Sequence, residues 1–232
     1  SLSVGASDRR RLSNRLQFLP MKDIKTVLAR CPLFSGFPEP AIDDLEGIAR
    51  IRRFEANELI YSKGSAISTL NIIASGVVRI SSVNPAGREA TLIMFSAGTW
   101  FGDSVFSPGM RRVYGATAHE AVTLIEIPGE AFRELMATYP EGYPVILDMV
   151  SRRLWAAMSI IEDDALRGVA ARIGRRLLFL AEIQGNGDVG TDPVTIWITR
   201  EHIANMMGMT RQGVHKWIKN FERSGLLELA YG

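Results

Sequence analysis

Cysteine is almost absent: Cys31 stands alone in 232 residues. A single thiol closes no internal disulfide and holds no cysteine-ligated iron–sulfur cluster within one chain, which fits a reducing cytoplasm. Histidine is nearly as scarce, and His119, His202 and His215 fall in separate stretches, which disfavours a His-centred catalytic site. No P-loop, paired-cysteine metal motif or Gly-x-Ser-x-Gly elbow occurs, so an enzyme is not expected. No apolar run has the length that spans a bilayer, and the first residues lack a signal peptide's apolar core. The net charge is only +2, which argues against an evenly basic nucleic-acid coat, and 47% apolar content argues against disorder.

What is there divides the chain by texture. Residues 1–20 carry Arg9, Arg10, Arg11 and Arg15 with few core-type side chains. They read as a flexible extension, with an arm touching DNA phosphates or a partner as the alternative. Helical patterns are expected at 23–30 and 41–49, separated by Pro32, Gly36, Pro38 and Pro40. From about 50 to 128 short β-type runs follow one another at 51–54, 58–62, 70–74, 77–83, 90–95 and 122–127. Asn84-Pro85-Ala86-Gly87 separates two of them as a hairpin turn would. Many short strands at this spacing predict an antiparallel sandwich or roll with an interior pocket.

A helix is expected over 130–139 and a much longer one from about 145 to 162. Leu147, Val150, Leu154, Ala157 and Ile161 recur at three-and-four spacing, the pattern of a coiled-coil seam. Met149, Trp155, Met158 and Ile160 make the opposite face apolar too. A helix apolar on two sides wants two partners, so a homodimer seam plus contact with the roll is expected. Glu162-Asp163-Asp164 ends the seam and is read as a hinge, before a helix at 169–183, a polar loop and a strand at 194–198.

The segment from Ile198 to Glu222 carries the strongest functional signal. Thr199 is placed to N-cap one helix, Gly208 to make a tight turn and Thr210 to N-cap a second. Val214, Trp217, Ile218 and Phe221 share one face of that second helix. Arg211, Gln212, His215 and Lys216 share the other, near its N-terminus, where a recognition helix enters the major groove. An arginine forks onto guanine O6 and N7, a glutamine pairs with adenine N6 and N7, and a lysine reaches guanine or phosphate. A plain helical hairpin with a solvated basic face would show the same pattern. Gly225 ends the helix, and 226–229 read as the start of a wing strand.

From about Leu28 onward this arrangement resembles the cyclic-AMP receptor protein family of bacterial regulators, which includes the fumarate–nitrate-reduction type oxygen sensors. The likeness rests on Cys31-Pro-Leu-Phe-Ser-Gly, Ala74-Ser-Gly-Val-Val-Arg-Ile, Gly87-Arg-Glu-Ala-Thr-Leu, Phe101-Gly-Asp, Ser151-Arg-Arg-Leu and the helix-turn-helix together. It implies an α+β protein: an effector-sensing, jelly-roll-like β-roll over 21–141, a dimerisation helix and hinge over 142–164, and a winged helix-turn-helix over 165–232. It implies a homodimer on a near-palindromic operator, with RNA polymerase as a partner if the regulator activates, and a wing truncated of its second strand here.

In the family's nucleotide-binding members, a cassette supplies Gly-Glu for the ribose and an Arg followed by Ser or Thr for the phosphate. Here Gly102-Asp103 stands for the first pair, Arg112 matches the arginine, Val113 replaces the hydroxyl residue and Tyr114 is bulky. The base-reading hydroxyl positions of the long helix hold Ala157 and Met158. A base edge buried without partners loses about 1–3 kcal/mol per group, so tight cyclic-AMP binding is not expected. The pocket is instead read as apolar, lined by Phe101, Phe106, Tyr114, Trp155 and Met158, for a small apolar or aromatic effector or for none. Haem, through His119, is disfavoured. The competing readings are a sensor module that acts through protein contacts and a constitutive, effector-free regulator.

Overall fold

The computed structural model describes residues 23–87, 89–184, 194–196 and 198–229, and of 182–184 the backbone only. The N-terminal extension, Arg88, most of the polar loop after Gln184, Trp197 and the chain beyond Leu229 lie outside the described residues.

Two four-stranded antiparallel sheets form the roll. One runs in the order β1 (Arg50–Phe54), β8 (Val122–Pro128), β3 (Thr69–Ser75), β6 (Trp100–Phe101). The other runs β2 (Leu59–Tyr61), β7 (Gly115–Ala118), β4 (Val77–Val83), β5 (Glu89–Ser96). The β4–β5 hairpin is closed by the Gly87 amide donating to the Asn84 carbonyl at 2.9 Å. Two-residue periodicity then sorts the side chains. On β3, Leu70 and Ile72 join an outer core with Leu28, Leu33, Phe34, Leu45 and Phe132, while Ile73 turns inward. Leu124 and Ile125 split the same way on β8. Because β3 is covered on both faces, its run from Leu70 to Ile73 is buried without interruption, the polar Asn71 included.

The outer core is supplied by α1 (Ile24–Arg30), α2 (Glu39–Ile48) and α3 (Gly129–Thr138), which lie on the β1–β8–β3–β6 sheet. Cys31 is buried there, and burial pushes its thiol up to about 12, so it is an inert core side chain. The inner core, between the sheets, contains Phe54, Tyr61, Val78, Ile80, Phe95 and Phe101.

The long helix α4 runs from Tyr143–Leu166, past the acidic triplet expected to end it. The break falls at Arg167 and Gly168 instead, before α5 (Val169–Gln184). Asp163 is buried at that corner and accepts from Arg167 at 3.0 Å and Arg175 at 2.9 Å. These two arginines hold its carboxyl below the usual range, against the opposing pull of burial. Asp164 pairs with Arg172 and Arg176. The acids are thus the clamp of the hinge, not its break.

Two sequence expectations fail in detail, and two strands were not expected. Residues 194–196 and 198 are not a strand, and neither are 226–229, so the described chain shows no wing. The two-residue strand β6 and the four-residue strand β7 had no run long enough to announce them.

Candidate DNA-reading helix and effector cassette

The helix-turn-helix is built from α6 (Arg200–Met207) and α7 (Arg211–Arg223). Thr199 is the N-cap of α6, its hydroxyl accepting from the His202 amide at 3.1 Å. Gly208 sits at φ 62°, the left-handed region, and the Met209 amide donates to the Ala204 carbonyl at 2.9 Å. Thr210 caps α7 by accepting from the Gly213 amide at 3.1 Å. Val214 and Ile218 are buried against Ile173, Ile203, Ala204 and Met207, with Trp217 and Phe221 packed on the rim.

The opposite face of α7 is left to solvent. Arg211, Gln212, His215 and Lys216 are all exposed. None makes a side-chain hydrogen bond or ion pair with the described residues. Next along the helix, Lys219 and Glu222 pair at 2.6 Å. The N-terminal half of α7 is therefore an unspent row of donors beside a helix N-terminus.

In the cassette most of the charged side chains' polar atoms are bonded internally. Arg112 is 3% exposed, and its Nε donates to the Ile67 carbonyl at 3.0 Å while Nη2 donates to the Thr69 carbonyl at 2.9 Å and hydroxyl at 3.1 Å. Its guanidinium lies 4.2 Å from the centre of the Tyr61 ring. Arg112 Nη1 and the Tyr61 hydroxyl are buried without a partner. Asp103 receives Arg153 Nη1 at 2.7 Å on one oxygen and the Tyr114 hydroxyl at 3.4 Å on the other. Burial first, then the Asp103 charge, pushes the Tyr114 phenol up to about 12. Gly102 is at φ 114°, and a side-chain carbon there would collide with the Thr69 carbonyl.

Arg153 is a site residue that the sequence motifs do not single out by role. It comes from α4, donates to the Trp100 carbonyl at 2.7 Å and lies 3.5 Å from the Trp100 ring centre. Burial pulls its guanidinium down, opposed by Asp103. Ile146, Met149 and Arg153 share three-and-four spacing, and that register was the available signal.

The expected apolar pocket is not assembled within one chain. Phe101 packs in the inner core with Tyr61 and Phe95. Phe106 lies on the other side with Trp100 and Phe132. Val113 is 62% exposed and Trp155 72% exposed, and Ala157 and Met158 also face solvent. On α4, Ile146 and Met149 contact the roll, whereas Leu147, Val150, Leu154, Trp155, Met158 and Ile161 are exposed. His119, at the β7–β8 turn, meets His202 edge-on with ring centres 4.7 Å apart. Among the described residues no three His, Cys, Asp or Glu side chains are placed to hold a metal ion, and no helix is long and apolar enough to cross a membrane.

Residues 51–139 match the cyclic nucleotide-binding domain and residues 171–232 the Crp-like helix-turn-helix domain. The chain is 31% identical over 204 residues to the CRP-like cAMP-activated global transcriptional regulator of Mycobacterium tuberculosis, covering 88% of this chain and 91% of that protein. It is 27% identical over 190 residues to the cAMP-activated global transcriptional regulator CRP of Haemophilus influenzae, covering 82% and 84%. In fold it is similar to the c-di-GMP responsive global regulator CLP of Xanthomonas campestris, with a TM-score of 0.62, 22% identity, and 84% and 96% of the two chains covered. An antiparallel roll, a long helix and a Crp-like helix-turn-helix, in a chain related over nearly nine-tenths of its length to a CRP-like regulator, have one explanation: the chain belongs to the CRP-like family of DNA-binding transcription regulators.

Proposed function

We propose that this regulator works as a cytoplasmic homodimer that reads a near-palindromic operator through α7, under the control of an effector other than cyclic AMP. The DNA reading is carried by one observation: Arg211, Gln212, His215 and Lys216 form an exposed row without internal partners at the N-terminal half of α7. Arg211 is assigned to a guanine and Gln212 to an adenine, with Lys216 and His215 beside them and the Thr199 and Thr210 caps near the phosphates. The second subunit is supported by the exposed Leu147, Val150, Leu154, Ala157 and Ile161 row, whose apolar area a second copy of the same helix would bury. The units are drawn at 21–141, 142–164 and 165–232. Contact with RNA polymerase belongs to this reading if the regulator activates, and no catalytic role is assigned to it.

Selection of sites from random DNA tests the assignment. We expect Arg211→Ala to weaken operator binding by about 1–3 kcal/mol and to relax one guanine position. A strong C·G preference at the base pair assigned to Gln212 would overturn its role.

The effector reading rests on the cassette. Both Asp103 oxygens are engaged, Val113 offers no hydroxyl, and Ala157 and Met158 offer none to a base. Cyclic AMP is favoured as a second reading by Arg112 Nη1, which is buried and unpartnered and is a donor that a phosphate oxygen would satisfy; the Mycobacterium and Haemophilus relatives are also cAMP-activated by name. An effector with one acceptor group on an apolar body satisfies the same donor without the missing hydroxyls.

A further inference from the structure

The helix-turn-helix does not hang free of the roll. α6 packs on β5, and α5 touches the same strand. At the heart of this contact His202 is 8% exposed, and its ring meets that of His119 edge-on at 4.7 Å. His202 Nδ1 lies 2.7 Å from the Thr199 hydroxyl that caps α6. The charged groups around the pair are few. Arg79 on β4 is paired with Glu89 on β5 at 3.4 Å. Glu120, beside His119, and Glu201, on α6, are both exposed. Across a cleft of about 430 Å³ lined by Asn84, Glu89, Asn205 and Met206, Asp164 and Arg172 hold each other.

Two imidazoles in contact tolerate each other when neutral. Protonating either places a cation on its neighbour and near Arg79. Among the described residues around the pair, the acids without a base partner, Glu120 and Glu201, sit in water where their attraction is screened. We propose that His119 and His202 form a proton-sensitive latch between the roll and the first helix of the helix-turn-helix, so that protonating the pair releases α7 from its docked orientation. This goes beyond the effector reading and holds for any effector, because the contact lies outside the cassette.

The sign follows from the environments. Burial is the main force lowering both histidines, followed for His202 by His119 and Arg79; for His119, Glu120 opposes it and Arg79 adds to it. A base whose pKa is depressed by docking stabilises the docked state above its free value, about 6.5, and loses that contribution as the pH falls through it. The population ratio changes by at most about tenfold per pH unit for each proton taken up.

Small-angle scattering of the full chain between about pH 8 and pH 5.5 reads the latch directly. We expect the radius of gyration to rise on acidification, with a midpoint at or below about 6.5. His119→Gln and His202→Gln should each flatten the profile, and His119→Lys should expand the chain already at high pH. An unchanged radius in the natural chain, Gln variants that keep its acid profile, or a compact His119→Lys variant would each overturn the proposal. His215, the remaining histidine, is exposed on α7; a profile lost only in His215→Gln overturns it too. Circular dichroism checks that each variant is folded, and if one Gln variant is not, the other and His119→Lys decide.

Discussion

The cassette and the recognition helix carry the same kinds of polar side chain and use them in opposite ways. Arg112 and Arg153 are drawn into the protein and bonded to the Ile67, Thr69 and Trp100 carbonyls and to Asp103, with Arg112 Nη1 left unpartnered. Arg211 and Lys216 stand in water with nothing to hold. A buried guanidinium must be satisfied by its surroundings because desolvating it is costly, so such an arginine shapes the fold around it. An exposed one loses little by waiting, and its donors remain for a phosphate or a base edge. Arg residues that hold shape and Arg residues that recognise are told apart by where their hydrogen bonds already go.

The same contrast occurs between neighbours on α4, where Arg153 faces the roll and Leu154, 61% exposed, faces away. The largest effect is expected at the outward residue. Leu154→Lys should cost the proposed dimer several kcal/mol, because a charge would be buried in its seam without a partner. Sedimentation at micromolar concentration checks it; a variant that stays dimeric would show that Leu154 faces no second copy.

A smaller loss is expected next door. Arg153→Ala removes two hydrogen bonds, one of them the ion pair to Asp103, and the cation–π contact with Trp100, and should destabilise the roll by about 2–3 kcal/mol in thermal melts. Arg153→Lys should recover little of this, since an ammonium cannot fork between Asp103 and the Trp100 carbonyl. Full rescue by lysine would mean that only the charge matters, and the cassette would lose its likeness to a locked arginine network.

The smallest effect is expected from the family's usual ligand. Millimolar cyclic AMP or cyclic GMP should shift the melt little, because stabilisation grows only as RT ln(1 + [L]/Kd), Asp103 is already engaged and Val113, Ala157 and Met158 offer no hydroxyl. A large, saturable shift at micromolar nucleotide would show that Asp103 gives up Arg153 and Tyr114 readily, and it would restore the cyclic-AMP reading. A shift with small aromatic compounds instead would support the apolar effector.

Much of this molecule was legible in one dimension. β4, β5 and their Asn84–Gly87 turn, the Thr199 and Thr210 caps and the Gly208 turn all lie where local chemistry places them. Short elements were not legible. Trp100–Phe101 is strand only because β3 lies beside it, with Asn71 and Ile72 opposite. The apolar run at 194–198 looks like a strand, yet the residues described there pair with none. The candidate site divided along the same line. The α7 residues needed only helical spacing to share a face. Phe101, Phe106, Trp155 and Met158, by contrast, were grouped by apolarity, and the structure sends them to two cores and to solvent.

By itself, then, the order of residues determined the periodicities, the caps and the turns, since each depends on neighbours within about four positions along the chain. Tertiary structure alone decided that Asp103 is met by Arg153 from fifty residues away, that Asp163 clamps a hinge instead of breaking it, and that His119 meets His202. Those pairings depend on which faces of distant elements come together. That is set by burying apolar area over the whole chain, a sum that no short stretch contains.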